Sequence, residues 1–386
     1  MNSPWGRFVA RIAPSGTKVA STIASPQPAE SLVTRRFLLL ASALLGAAIA
    51  TAAEPRVVPY STRTMGTVGT VAIVTADSSA TSRAAAAALA AFHAVDARFS
   101  NWTDTSEIAG INRRLDRGAV AVSAEAAFVL ATALRVHRAS DGAFDPTVEP
   151  LVRLWGFLGG TPRVPAPERI DAVRVRIGAE HVVLDNGTLR AAKAGLRVDL
   201  GGIAKGHAVD RAVAVLRDHG IENALVDLSG NMIALGSPPG RSHWTVGVRD
   251  PATDDRWFAR LQLHGDAIAT SGDYEQFVAA DGWRYGHVLD PRTGWPTDDL
   301  VSATVVAPTA IEADAWATAL LVLGSERGRA ILSERDDLSG VLVQKARRGR
   351  HRVWVEDSLR GRCAFVTSAD ERFDVIWFDD TLDATR

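Results

Sequence analysis

Residues 198–210 read VDLGGIAKGHAVD, and the rest of the chain is organised around this stretch. A carboxylate, Asp199, is followed by a glycine pair and by Lys205, and apolar residues at helical spacing then continue to Gly220. This pattern predicts a strand end at 196–200, a glycine turn and a helix. Unpaired amides at a helix start attract anions, and glycines let a ligand approach the main chain. These residues alone do not decide between two interpretations, a phosphate-binding site and a tight turn with a solvated lysine.

Composition indicates a globular protein with an extensive apolar core. The 386 residues are 47% hydrophobic and 23% charged, and the net charge is −1. This charge balance argues against nucleic acid as a partner. The single cysteine, Cys363, excludes an internal disulfide and a cysteine metal cage. Strands and helices alternate irregularly, which favours the α+β class and one mixed domain over residues 55–386.

The first 53 residues have the architecture of a signal peptide. The pair Arg35 and Arg36 precedes a continuous apolar run at 37–50, and small residues then lead to Glu54. The run is shorter than the ~20 residues of a membrane span, and the arginine pair is typical of twin-arginine export. We therefore expect an exported protein on the periplasmic side of the inner membrane. A cleaved signal is favoured over an uncleaved N-terminal anchor.

Periodicity and turn residues predict most of the remaining elements. A hairpin is expected over 57–75 with its turn at 65–67, and the segments 99–112 and 141–157 are expected to be irregular. Helices are predicted at 78–97, 123–139 and 311–323. Strands are predicted at 224–228, 244–248, 301–307, 341–344, 353–355 and 363–366.

Two sites carry candidate chemistry. Asp314 and Thr318 are four residues apart on a predicted helix, so both point the same way, and their oxygen atoms suit a hard cation such as Mg²⁺. Alternatively, Asp314 faces solvent and Thr318 bonds a backbone carbonyl. His287 follows a Tyr-Gly turn and is a candidate general base, although a lone histidine near a strand is more often structural.

Eight short motifs then occur in one order along residues 57–324. They are TMGT at 64–67, FS to SEI and Asn at 99–112, GAFDPT at 142–147, VDLGGIAKG at 198–206, SGN at 229–231, TSGDY at 270–274, HVLDP with TG at 287–294, and ADA with Thr318 at 313–318. Together they show that the sequence resembles the FAD:protein FMN transferase family, the ApbE family.

The resemblance implies an enzyme that cleaves FAD at its pyrophosphate, moves FMN to a threonine or serine of an acceptor protein and releases AMP. It also implies a requirement for Mg²⁺ and a mixed α/β catalytic domain with FAD in a central cleft. Residues 325–386 form C-terminal strands and a tail that the motifs do not cover. By analogy with the family, the acceptor is an exported protein or a subunit of a membrane redox complex, which places the enzyme near the membrane.

The resemblance also assigns roles to residues of this chain. The carbonyl of Gly202, with Asp314 and Thr318, would hold the metal. The residues that would line the FAD cleft are Met65, Trp102, Ala143, Phe144, Asp145, Asp199, Lys205 and Val288. Trp102 stands where the family usually has tyrosine, and either ring can stack on the flavin or the adenine.

The predicted chemistry depends on three residues, two of which would also line the FAD cleft. His287, Lys205 and Asp199 are the catalytic candidates, with His287 as the base and Asp290 or Asp273 as its orienter. Three rival functions remain open: an FAD pyrophosphatase that releases FMN and AMP, a non-catalytic flavin-binding protein, and a plain structural domain.

Overall fold

The structure is a computed structural model that describes residues 54–253, 256–347, 349–366 and 372–381. The predicted signal segment, residues 1–53, lies outside the described residues. Among the helices that are described, none combines the length and the apolar character needed to cross a membrane.

The described residues form seven α-helices and seventeen strands. The helices are α1 Ser78–Phe99, α2 Glu107–Arg114, α3 Ala124–Ala139, α4 Glu149–Trp155, α5 Pro167–Arg174, α6 Ala204–Asp218 and α7 Ala310–Ser333. The strands are β1 Arg56–Thr64, β2 Thr67–Thr75, β3 Val120–Ala121, β4 Val182–Asp185, β5 Thr188–Ala191, β6 Ala224–Leu228, β7 Asn231–Leu235, β8 Trp244–Arg249, β9 Trp257–Leu263, β10 Ala267–Gly272, β11 Phe277–Ala280, β12 Trp283–Gly286, β13 Leu300–Ala307, β14 Ser339–Arg347, β15 Arg350–Val355, β16 Cys363–Phe365 and β17 Phe373–Trp377.

A nine-stranded sheet organises the fold, in the order β1-β2-β6-β7-β10-β13-β14-β15-β17. Neighbouring strands are antiparallel except β15 and β17, which are parallel. Three smaller sheets accompany it, β16-β9-β8, β3-β5-β4 and the hairpin β11-β12. A largely antiparallel sheet with helices added is an α+β architecture, so the predicted fold class is confirmed.

The middle of the large sheet is buried on both faces. All eight residues of β13 are buried, and β13 contributes to two hydrophobic clusters. Ala303 and Val305 belong to the larger one, which we call the main core and which includes residues of α1, α6 and α7. Val301 and Val306 belong to a second cluster with residues of β8 and β9. The helices therefore cover one face and the β16-β9-β8 sheet covers the other.

Several predicted elements are confirmed. The first hairpin turns at Met65 and Gly66, whose φ angles of 48° and 73° are those of a tight hairpin turn. The α3 helix begins after Ser123, whose hydroxyl accepts a hydrogen bond from the Ala126 amide. The closing strands also occur, as β14, β15 and β16.

Three local predictions are wrong. Residues 196–200 form no strand, and the side-chain amide of Asn112 takes the place of a strand partner at Val198. It accepts from the Val198 amide at 2.7 Å and donates to the Val198 carbonyl at 2.9 Å. The segments expected to be irregular contain α2 and α4. The hydroxyl of Ser106 caps α2, and a proline in the first turn starts α4.

Candidate functional site

The first turns of α6 and α7 cross in close contact, and Gly206 lies at the crossing. A Cβ atom at Gly206 would lie 2.1 Å from the carbonyl oxygen of Ala310 and 2.7 Å from Cβ of Asp314. Because no real Cβ atom approaches a carbonyl oxygen that closely, only glycine permits this packing. The crossing sets the start of α6, with Lys205, against the start of α7, with Asp314.

Asp314 is buried in this crossing. It is 4% exposed, its Oδ2 accepts from the Gly206 amide at 2.8 Å, and the Lys205 amide also bonds to the carboxylate. Burial raises the pKa of Asp314, while the charge of Lys205 and the two amides favour the ionised form. The alternative in which Asp314 faces solvent is therefore wrong. The expectation of free amides at the α6 start is also wrong in part, because Asp314 already binds two of them.

Thr318 lies one turn after Asp314 and beside the glycine turn. A Cβ atom at Gly202 would lie 3.3 Å from Oγ1 of Thr318 and 3.1 Å from the ring of Phe144. Oγ1 of Thr318 is 3.2 Å from Oγ of Ser271, so its described partner is a hydroxyl and not a backbone carbonyl. A carboxylate, a hydroxyl and the nearby Gly202 carbonyl are hard oxygen donors, which is the donor chemistry that Mg²⁺ prefers.

Asp199 shapes the glycine turn. Its Oδ1 accepts from the Gly201 amide at 2.6 Å, and its own amide donates to the Pro146 carbonyl at 2.7 Å. Burial raises the pKa of Asp199, and the nearby charge of Glu149 acts in the same direction. A side-chain hydrogen bond from Asn101 favours the ionised form. The contact with Pro146 ties the glycine turn to the 142–147 motif.

His287 directly follows β12 and lies within electrostatic range of Lys205. Its amide donates to the Gln276 carbonyl at 2.9 Å, and its ring stands edge-on to Phe157 with the centroids 6.3 Å apart. Burial, reinforced by the charge of Lys205, lowers the pKa of His287 to about 4. Nδ1 has no hydrogen-bond partner in the described part of the chain. A neutral imidazole is the protonation state that a general base requires.

The structure does not support either expected orienter of His287. Oδ1 of Asp273 pairs with Arg284 at 2.9 Å, and both carboxylate oxygens of Asp290 bind Arg292 at 2.8 Å. Nδ1 of His287 is bonded to neither of them. The ring is positioned instead by its burial and by its backbone contact.

Asp145 is enclosed by protein donors. It is 7% exposed, and its Oδ1 accepts from the amide of Thr147 at 2.7 Å and from the hydroxyl at 2.6 Å. Its Oδ2 accepts from the Ala179 amide at 3.1 Å and lies 3.6 Å from Nδ1 of His137. Burial raises the pKa of Asp145, and the hydrogen bonds to Thr147 oppose that shift. These contacts hold the loop together around the carboxylate.

Asp145 also belongs to a cluster with His137 and Glu180, whose ligand atoms lie close enough together to share a metal ion. Nδ1 of His137 is engaged by the Phe144 carbonyl at 3.0 Å, and Nε2 is 3.7 Å from Glu180. Because these polar atoms already have protein partners, internal contacts account for the cluster. Ala143 and Phe144 are buried, and the Phe144 ring is the part of this loop that reaches Gly202.

The three remaining candidates lie on separate elements. Met65 is at the turn of the first hairpin, and its amide donates to Asp96 of α1 at 2.8 Å. Trp102 is 67% exposed and follows Asn101, the residue that bonds to the Asp199 side chain. Val288 packs against the main core. Met65 packs against the same core, which also includes Ala204 of α6 and Ala310 of α7.

Two cavities flank these elements. One of about 800 Å³ lies among α3, α6 and α7, and one of about 550 Å³ is lined by residues of α2, α4 and α5. Asn101 and Glu149, which both act on Asp199, line the smaller cavity, whereas neither lining includes Asp314 or Thr318. The smaller cavity therefore lies beside the Asp199 end of the site.

Sequence reasoning assigned no role to several residues that build this site, although the motifs contain Gly206, Ser271 and Asn112. Gly206 permits the helix crossing, Ser271 bonds to Thr318, and Asn112 clamps Val198. Asp210 binds the first amides of α7. Gly206 and Asp210 lie inside the stretch 198–210, four residues apart, and that spacing was the available signal. For Ser271 and Asn112 the partner is distant in sequence, and no local pattern indicates it.

Comparisons with known proteins identify the family of this chain. The family model described as ApbE family matches residues 65–342. A Vibrio cholerae protein named "FAD:protein FMN transferase" is 37% identical over 256 residues, which cover 65% of this chain and 76% of that protein. A Salmonella typhimurium protein of the same name is 32% identical over 320 residues, which cover 80% of this chain and 90% of that protein.

Solved structures extend the similarity to the fold. The flavin transferase ApbE from Vibrio cholerae superposes with a TM-score of 0.72 at 31% identity, and the match covers 81% of this chain and 100% of that one. The ApbE protein of Thermotoga maritima gives a TM-score of 0.69 at 30% identity, with 82% and 99% covered. The family match spans well over half of the sequence, and the mixed α/β architecture is shared. This chain belongs to the ApbE family.

Proposed function

We propose that this chain is an FAD:protein FMN transferase that joins FMN through a phosphoester to a threonine or serine of an acceptor protein and releases AMP. One observation carries the proposal: the α6–α7 crossing gathers Asp314 and Lys205 at one point, and Thr318 meets Gly202 one turn further on. Membership of the family and the names of its relatives support the flavin chemistry.

The site has the donors that a magnesium-dependent phosphoryl transfer needs. The Gly202 carbonyl, Asp314 and Thr318 would hold Mg²⁺, which when bound supplies positive charge to polarise the phosphate oxygens. Lys205 adds a fixed positive charge near the same carboxylate. Phosphoryl transfer depends mainly on alignment and on neutralising charge, so this arrangement suits the cleavage of a pyrophosphate.

The chemical step exchanges one bond to phosphorus for another. The acceptor hydroxyl oxygen bonds to the phosphorus of the FMN half, the bond from that phosphorus to the bridging oxygen breaks, and AMP leaves with the electron pair. His287 takes the proton of the attacking hydroxyl, because its ring is neutral near pH 7 and its Nδ1 has no partner in the described part of the chain. The exposed ring of Trp102 offers a flat surface for the flavin or the adenine.

The proposal extends to location and partner. Residues 1–53, with their arginine pair and apolar run, would export the chain to the periplasmic side of the inner membrane. The acceptor would then be an exported protein or a membrane redox subunit. N-terminal sequencing of the protein recovered from the periplasm tests this: a start near Glu54 supports a cleaved signal, and an intact N-terminus contradicts it.

Mass spectrometry of the acceptor tests the reaction itself. Purified enzyme, FAD and Mg²⁺ are incubated with exported proteins of the same cell, and a threonine or serine that gains the mass of FMN while AMP accumulates supports transfer. Rapid FMN release without any acceptor would instead indicate a pyrophosphatase. Bound FAD that stays intact under all conditions would indicate a non-catalytic flavin-binding protein. A protein that does not bind FAD at all would be a structural domain.

A further inference from the structure

The helices α6 and α7 cap each other's first turns. Oδ1 and Oδ2 of Asp210, on α6, accept from the amides of Ala310 and Ile311 at 2.9 Å each. In return Asp314, on α7, accepts from the amide of Gly206 on α6. The amides of a helix start have no partner inside their own helix, so each helix supplies the acceptor that the other one lacks.

The spacing makes this exchange nearly symmetric. Asp210 lies four residues after Gly206, and Asp314 lies four residues after Ala310, so each carboxylate is one turn along from the point where the helices touch. Residues 310 and 314 are separated by about 6 Å along a rigid helix. A displacement of the first turn of α7 is therefore passed on to the Asp314 carboxylate.

We propose that Asp210 is a positioning residue for the metal and phosphate site: it fixes the start of α7 and thereby holds Asp314 in register with Lys205 and the glycine turn. The inference rests on the proposed function, in which Asp314 is a metal ligand. Asp210 itself lies in the wall of the 800 Å³ cavity, and its two described hydrogen bonds run to α7 amides, so it acts through α7 and not on substrate.

The chain offers a matched control on the same helix. Thr309 is the α7 N-cap, and its Oγ1 accepts from the Glu312 amide at 3.4 Å. The Thr309→Ala change removes a cap of α7 without removing a link to α6. Asp210→Ala and Thr309→Ala should both lower the melting temperature, because each leaves helix amides unsatisfied. Only the Asp210 change should disturb Asp314.

The first measurement is the Kd for Mg²⁺ in the absence of FAD, determined by calorimetry. Removing a residue that orients a metal ligand typically weakens metal binding 10- to 100-fold, so we expect about a tenfold higher Kd in Asp210→Ala. Asp210→Asn retains one acceptor oxygen, so its Kd should lie between the values of Asp210→Ala and of the unaltered protein. Thr309→Ala should keep the original Kd. Equal Kd values in all variants would show that Asp210 only stabilises the fold.

The second measurement does not depend on the metal. Amide hydrogen exchange at Gly206 reports whether Asp314 still accepts its hydrogen bond. Exchange at Gly206 should accelerate in Asp210→Ala and stay slow in Thr309→Ala. Unchanged protection in Asp210→Ala overturns the inference. If the unaltered protein binds no Mg²⁺, the proposed metal site is contradicted, while the exchange data still decide whether the two helices are coupled in this way.

Discussion

Asp145 and Asp314 are both buried carboxylates whose pKa is raised by burial, yet their surroundings differ. Asp145 binds two groups of its neighbour Thr147 and the amide of Ala179, which lies 34 residues further along the chain. Asp314 binds the amides at the start of another helix and faces the charge of Lys205. One carboxylate links its own loop to the turn at Ala179, and the other joins two helices beside a cation.

This difference shows that burial alone does not identify a functional carboxylate. Burial makes both groups costly to ionise, and each needs compensation. Asp145 obtains it from the hydrogen bonds of Thr147 and Ala179 and from His137, with no lysine or arginine among its described contacts. Asp314 obtains part of it from Lys205, a charge that is also suited to bind phosphate. We therefore expect changes at Asp145 to reduce stability first, and changes at Asp314 to reduce activity first.

The largest effect is expected for Asp314→Asn. The substitution keeps the volume and an acceptor for the Gly206 amide but removes the charge that a metal needs. Metal assistance supplies several kcal/mol, so Mg²⁺-dependent cleavage of FAD should fall on the order of 10³-fold, with a melting temperature close to that of the unaltered protein. Steady-state assays and calorimetry measure the two quantities. Activity within tenfold of the original would contradict the metal assignment.

The next effect is the loss of transfer in His287→Ala. Removing a general base typically costs 10²- to 10⁴-fold, so transfer should fall about 10²-fold or more while the Kd for FAD is retained. The matched control is His137→Gln, on the Asp145 side of the comparison, which should lower stability and leave transfer within tenfold. Normal transfer by His287→Ala together with tight FAD binding would remove this residue from the mechanism.

Asp145→Ala should produce the reverse pattern. Its loss leaves three buried donors without an acceptor, which should lower the free energy of unfolding by about 2–4 kcal/mol. Chemical denaturation measures this change. The turnover of the folded fraction should stay within tenfold. A variant that is fully stable but inactive would show that Asp145 acts on FAD directly, as the family resemblance implies.

The smallest effect concerns the pH dependence of stability. The pKa of His287 is lowered to about 4 in the folded protein from 6.5, so between these values the unfolded chain binds the extra proton. Stability should therefore decrease as pH falls from 7 to 5, by about 2 kcal/mol from this group. Urea unfolding at several pH values should show a weaker decrease in His287→Gln. Identical slopes in both proteins would contradict the lowered pKa.

A companion variant tests the cause of that shift. Lys205→Met removes the charge that reinforces the effect of burial on His287. The pKa of His287 should then rise toward 6.5, which NMR titration of the ring can follow. An unchanged pKa would assign the whole shift to burial.

Local patterns predicted much of the fold. The first hairpin, the alanine-rich helix α1 and the capped helix α3 each depend on neighbouring residues, and each is confirmed. Local patterns did not indicate α2 and α4, because a single cap starts α2 within a polar segment and α4 begins with a proline directly after a segment broken by glycine and proline. The strand expected at 196–200 is absent because a distant side chain, Asn112, satisfies Val198.

The sequence by itself determined the family and the residue types of the site, because eight ordered motifs and the i to i+4 spacing of Asp314 and Thr318 are local properties. Only the tertiary structure decided how those residues are placed. Asp210 and Gly206 act across about a hundred residues of chain, through hydrogen bonds and a close helix contact whose partners on α7 no local pattern indicates. The free energy of such contacts depends on which atoms meet in space, and folding alone brings them together.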